Sequence, residues 1–197
     1  SKYNAAARKK LLAALIFILF SIIFWAFFEQ SGGSLSLFAA KNLDNNLLGF
    51  MTLDPNGVNN SANSLFVIIF APIFGLVWLA MAKKKIEPNT VVKFGLGFIF
   101  LAGAFYIFYA TRFFATAGIA SLDVFIVAYL VVTFGELCLS PIGLSIMTKL
   151  SPQKLQGVMM GMWFLASAYG QYVAGLLGAG MAKAGENDTL PQKLITY

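Results

Sequence analysis

Histidine is absent from this 197-residue chain, and Cys138 is its only cysteine. No disulfide can close within the chain, and a Cys/His metal site is excluded. Cys138 stands inside an apolar run, where a lone thiol behaves as a small packing residue. Charge is scarce too: Asp, Glu, Lys and Arg make up 11% of the residues, against about 25% in an ordinary soluble domain. No nucleophile–base pair or metal constellation is present, which argues against an enzyme. A signal peptide is not evident, because the first apolar run, Leu11 to Ala40, is too long for an h-region.

What is present is apolar. Hydrophobic residues make up 59% of the chain, and the mean hydropathy is +0.78. Ser64 to Ala82 runs for 19 residues without a charge, past the threshold of about 18 at which an apolar run reads as a membrane-crossing helix. Five spans are expected, at about 11–39, 61–82, 91–111, 122–148 and 155–181, forming one all-α membrane bundle over residues 1–197. Between them, KKKIEPN at 83–89 reads as a tight polar turn with Pro88 opening the next helix. In KLSPQKLQ at 149–156, Ser151 and Pro152 resemble an N-cap and a first-turn proline. The segment 41–60, rich in Asn, Asp and Gly, reads as an aqueous loop.

The net charge of +6 is distributed as topology rather than as a nucleic-acid footprint. Ten of the 14 basic residues fall on one side: Lys2, Arg8, Lys9, Lys10, Lys83, Lys84, Lys85, Lys93, Lys149 and Lys154. Lys41, Arg112, Lys183 and Lys193 fall on the other. By the positive-inside rule the first end and the two short loops are cytoplasmic. The opening SKYNAAARKK resembles the end of a linker, and ENDTLPQKLITY stops where another span could begin. An odd set of five is what remains of a six-helix half-transporter without its last helix, so the chain is expected to be a fragment.

Polar groups inside the spans point to function, since a charge at the centre of a span costs about 2.5–3.5 kcal/mol on insertion scales. Only Glu29 and Glu136 lie that deep, and no Lys or Arg joins them. Asp123 and Glu87 sit at span ends or in loops and read as solvated. On a continuous helix Trp25, Glu29, Gly32 and Ser36 share one stripe, and the pair Gly32–Gly33 weakens the helix or admits a close neighbour. This is either a glutamate bonded between packed helices or the wall of a polar pocket. Glu136 precedes Pro141, which removes the donor for the carbonyl of Leu137. The result is either a proline kink with a paired glutamate or an electronegative spot suited to an ammonium group. Asn63 reads as a helix cap at the start of its span. Trp163, Ser167 and Gln171 follow at four-residue steps, a stripe that must face protein or water, although Trp163 serves equally as packing. Gly157 and Gly161 form a GxxxG contact pattern. Two carboxylates with no cation on the same chain require a proton, a bound cation or basic residues from elsewhere.

Three stretches then resemble one family in order: FWAFFEQSGGSLSLFA, SANSLFVIIFAPIFGLVW and FGELCLSPIGLSIMTKLSPQKLQGVMMGMWFLASAYG. They look like the seventh, eighth and tenth-to-eleventh helices of the proton-dependent oligopeptide transporters of the major facilitator superfamily. FWA-x-x-EQ and GEL-x-x-SPIGLS-x-x-TKL are specific as a set. The resemblance implies a twelve-helix symporter of di- and tripeptides, of which this chain is the C-terminal half, helices seven to eleven. It implies that Glu29 couples protons, that Glu136 receives the peptide amino terminus with Asn63, and that Trp25 and Trp163 wall the pocket, with Ser167 one turn beyond. The basic ligands for the peptide carboxylate belong to the absent N-terminal half. No cofactor is expected beyond the proton as coupling ion. The partners are peptide, membrane lipid and that other half, not nucleic acid, and the location is the inner (plasma) membrane. Two other readings remain: a related transporter of another small solute, and a non-transporting scaffold or channel subunit for which five spans are complete.

Overall fold

The computed structural model describes residues 5–116 and 118–184. Lys2, Lys193 and the polar stretch expected after 184 lie outside them. Six α-helices and a minimal hairpin follow in order: α1 (Ala5–Phe28), α2 (Ser34–Asn42), β1 (Asn46–Leu47), β2 (Met51–Thr52), α3 (Pro55–Lys83), α4 (Thr90–Ala110), α5 (Leu122–Leu150) and α6 (Gln156–Ala184). α1 and α2 are two halves of one span, separated by a 3-10 turn over Glu29–Gly32. Counting that pair once, the long helices run up and down between a basic end, with Lys83 to Lys85 and Lys149, and a hairpin end.

Four of the expected spans are long and apolar enough to cross a bilayer: Arg8–Asn42, Pro55–Lys83, Thr90–Phe114 and Leu122–Leu150. α6 has the length, at 29 residues, but Gly, Ser167 and Gln171 dilute its hydropathy. The glycine pair does break the first span, so Trp25, Glu29, Gly32 and Ser36 do not form the continuous α-helical stripe that their spacing suggests. Gln30 holds the break together. Its Nε2 donates to the carbonyl of Ala26 at 3.0 Å and to that of Ala174 on α6 at 3.3 Å. Its Oε1 accepts from Ser34 Oγ at 2.9 Å.

Several helix ends differ from the sequence reading. α3 begins at Pro55, not near 61, because Asp54 caps it, accepting from the Gly57 amide at 2.7 Å. Asn63 is therefore two turns inside the helix and caps nothing. Asn89, not Pro88, opens α4, its side chain accepting from the Val92 amide at 2.9 Å. Ser151 ends α5 instead of capping α6, and Pro152 precedes a short 3-10 turn, Gln153–Leu155. α5 continues unbroken through Pro141.

Packing divides into two apolar clusters. One at the basic end includes Phe24, Trp25, Phe94, Leu139, Met147 and Trp163. One at the hairpin end includes Phe38, Phe108, Leu122, Phe125 and Tyr129. α4 and α5 meet through back-to-back glycines: a Cβ on Gly135 would come within 2.9 Å of the Gly97 carbonyl, so only the absent side chains let the backbones approach. At the basic end, Lys93 is buried against Glu87 and lies 4.5 Å from the Trp78 ring centroid. Glu87 is thus ion-paired rather than merely solvated. Asp123 likewise accepts from the Leu48 amide at 2.9 Å.

Candidate functional site

Between the two clusters lies a polar tier, and it contains the two buried-span carboxylates. On α3, Asn59 and Asn63 are one turn apart. On α5, Tyr129, Thr133 and Glu136 follow at steps of four and three residues. Such spacing stacks side chains on one helix face, and the two faces meet. Asn63 Nδ2 donates to Glu136 Oε2 at 2.9 Å and to Thr133 Oγ1 at 3.1 Å. The Thr133 hydroxyl in turn donates to the Tyr129 backbone carbonyl at 2.9 Å. The Tyr129 hydroxyl donates to Asn59 Oδ1, and Asn59 Nδ2 donates to the Ser31 carbonyl at 2.8 Å. Ser31 belongs to the 3-10 turn that starts at Glu29.

Glu29 sits on the opposite edge of the same tier. Gln171, on α6, donates to its Oε1 at 3.2 Å. Glu29 and Glu136 thus lie on one tier, from the first span and from α5 respectively. The one ion pair among the described residues, Lys93 with Glu87, lies at the basic end and neutralises neither. A site with two partly buried carboxylates, an amide already aimed at one of them and no cation has an electrostatic preference for a positively charged ligand or for protons.

The structure brings Asn63 and Glu136 into direct contact. Trp25 and Trp163 do not stand as exposed walls: they are 9% and 3% exposed and belong to the cluster at the basic end, forming a floor beneath the tier. Each is seated against a glycine of a neighbouring helix. A Cβ on Gly143 of α5 would meet the Trp163 ring at 2.0 Å, and one on Gly170 of α6 would meet Trp25 Cβ at 2.4 Å. Ser167 is half-buried on α6, one turn from both Trp163 and Gln171. Asn59, Tyr129 and Thr133 are tier residues that sequence reasoning did not single out. A signal exists, since Asn59 is four residues before Asn63 and Tyr129 is seven before Glu136, but Asn59 falls in the hydrophilic stretch 41–60 that reads as a loop. A cavity of about 410 Å³ at the hairpin end is lined by Leu47, Leu53, Asp54, Val58, Leu65 and Ile126 among others. None of the candidate site residues borders it.

Helices of this length and hydropathy, with acidic and amide groups gathered in one interior tier, define a multi-pass helical membrane protein. The family model of PTR2, the POT family, matches residues 1–193, and the chain belongs to the POT family. It is 40% identical over 194 residues to the peptide transporter YePEPT of Yersinia enterocolitica, covering 97% of this chain and 37% of that protein. It is 34% identical over 189 residues to dipeptide and tripeptide permease A of Escherichia coli K12, with 95% and 37% covered. A crystal structure of a POT family transporter in complex with a thioalcohol-conjugated peptide superimposes with a TM-score of 0.82 at 27% identity, covering 98% of this chain and 39% of that one. The chain thus spans a little over a third of the length of these relatives.

Proposed function

We propose that this chain is the C-terminal part, helices seven to eleven of twelve, of a proton-coupled symporter of di- and tripeptides. The observation that carries the reading is the Asn63–Glu136 pair at 2.9 Å, set at mid-span with no cation beside it. A peptide ammonium needs a desolvated anion, and the Asn63 amide fixes one carboxylate oxygen of Glu136 while leaving the other for the ligand. Glu29 is the proton site. A proton arriving from outside neutralises its carboxylate, ends its attraction for basic residues of the N-terminal half, and favours the inward-open state with peptide bound. Trp25 and Trp163 support the site from below, and Ser167 contributes from α6. The site then alternates in access at the midplane between two halves. The peptide carboxylate is held by basic groups outside this chain.

The protein is read as residing in the inner (plasma) membrane with its basic end cytoplasmic, by the positive-inside rule. Dipeptide uptake by the complete transporter in proteoliposomes, with and without an inward proton gradient, tests the reading. Glu136→Ala is expected to weaken free-amino peptides more than amino-blocked ones. Equal losses for both would make Glu136 a structural residue. Glu29→Gln is expected to bind peptide yet fail to accumulate it uphill. Full accumulation by that variant would overturn the assignment of the proton site.

A further inference from the structure

The polar tier is more than two separate sites. Read from the break in the first span, two short series of contacts meet at Tyr129: the Ser31 carbonyl, Asn59 and the Tyr129 hydroxyl on one side, and the Tyr129 backbone carbonyl, Thr133, Asn63 and Glu136 on the other, joined through the backbone of α5. The geometry points to Asn59 and Tyr129 as positioning residues that tie the conformation of the Glu29 turn to the Glu136 site. This inference rests on the assignment of Glu29 to the proton and Glu136 to the peptide amine.

Three features argue that the link transmits rather than merely fills space. First, Asn59 and Tyr129 are each 2% exposed, and the Asn59 amide uses both of its ends. Its Nδ2 faces the Ser31 carbonyl and its Oδ1 faces the Tyr129 hydroxyl, so neither can turn without losing a partner. Second, Ser31 lies in a 3-10 turn, a strained local alternative to the α-helix that is common at functional hinges. If the turn rewinds when Glu29 gains or loses its proton, the Ser31 carbonyl shifts and Asn59 loses its acceptor in a buried setting. A buried unsatisfied donor is costly, so Asn59 and Tyr129 must follow. Third, a displacement of Tyr129 carries the adjoining turn of α5 with it, and that turn bears Thr133, whose hydroxyl donates to the Tyr129 backbone carbonyl and accepts from the Asn63 amide that aims at Glu136. Gln171 of α6 donates to Glu29 itself, α5 carries Glu136 on the same tier, and the described residues of α1, α2 and α3 at this level bring no charge. A two-state turn whose equilibrium is biased from both ends is the physical requirement for coupling between sites.

The test uses the complete transporter in proteoliposomes, with a free dipeptide as probe and two readouts. One is exchange of labelled peptide without a gradient, and the other is the stimulation produced by an inward proton gradient. Tyr129→Phe removes a single oxygen and keeps the ring between Phe108 and Phe125. It is expected to leave exchange within about two-fold while cutting the gradient stimulation about ten-fold, within the 5–150-fold range of typical coupling between sites. Asn59→Leu should do the same, and combining the two should add little, because they break one link. If exchange and stimulation fall together, or neither falls, the link is structural and the inference fails. Glu29→Gln and Glu136→Ala run alongside keep the two levels apart. Should they lose their expected phenotypes, the functional reading fails; should they keep them while Tyr129→Phe stays fully coupled, only the link is refuted.

Discussion

Gly143 offers the sharpest structural test, because one methyl group should displace an indole. It lies on α5 two residues past Pro141, and a Cβ built there falls 2.0 Å from Cη2 and Cζ2 of Trp163 and 2.6 Å from its Cζ3. Carbon atoms rest about 3.5–4.0 Å apart, so the ring must retreat by about 1.5 Å. It has little room to do so, being 3% exposed and packed in the cluster that contains Ile146, Met147 and Met159. Overpacking of this kind costs about 1–3 kcal/mol. The shift per kcal/mol in a protein as long as the POT relatives is smaller than the about 2–4 °C of a 150–250-residue domain, so Gly143→Ala should lower the thermal midpoint of the purified transporter by at least about 1 °C. The clashing atoms all belong to the six-membered ring of the indole, which Trp163→Phe deletes. The double variant should therefore lose less than the sum of the two singles, with a coupling of about 0.5–3 kcal/mol. Gly103→Ala serves as control, since its added Cβ meets only Val131 Cγ1 at 3.9 Å. A Gly143→Ala midpoint equal to that of the control, or strict additivity with Trp163→Phe, would refute the seating of Trp163 on this glycine.

Three further substitutions probe the frame around the tier. Asp54→Ala removes the cap of α3 and should cost about 0.5–2 kcal/mol, read as a lower thermal midpoint and faster amide exchange over residues 56–58. Lys85 sits just past α3 at a φ of 57°, so Lys85→Gly should raise the midpoint, by up to about 1 kcal/mol in stability. At the basic end, Glu87→Ala should destabilise more than Lys93→Met: the first strands a buried ammonium, whereas the second leaves a carboxylate that is 39% exposed and can be hydrated. The reverse order in thermal unfolding would contradict that account of the Lys93 site.

Much of the architecture was legible because the bilayer leaves few options. Uninterrupted apolar runs and asymmetrically placed lysines predict spans and their sense before any contact is known. The glycine pair at 32–33 likewise marked a weak point, and the first span does break there. The start of α3 was hidden by its own polarity. Asn56, Asn59 and Asn60 read as an aqueous loop because such a stretch is hydrophilic, and Asn63 as a cap, whereas the fold puts Asn59 and Asn63 on one face toward Tyr129, Thr133 and Glu136. The choice between cap and ligand at Asn63 was open in the sequence because it depends on Asp54, nine residues earlier, taking the capping role. The burial of Trp25 and Trp163 was also out of reach, since it is decided by Gly170 and Gly143 on other helices. Composition locates the polar groups; only packing decides which of them meet.

The hairpin end is stitched across the bundle. The Asp44 side chain accepts from the Leu122 amide at 2.9 Å and Asp123 accepts from the Leu48 amide. The Ala120 amide donates to the Asn42 carbonyl at 2.8 Å and the Asp44 amide to the Ala120 carbonyl at 3.0 Å. These bonds fasten the far end of α2 to the start of α5, while α1 lies along α6. The two halves of the first span are therefore anchored differently, and the turn bearing Glu29 lies between the two anchorages. A bend at that turn would be felt most at the hairpin end, where α2 is fastened to the start of α5.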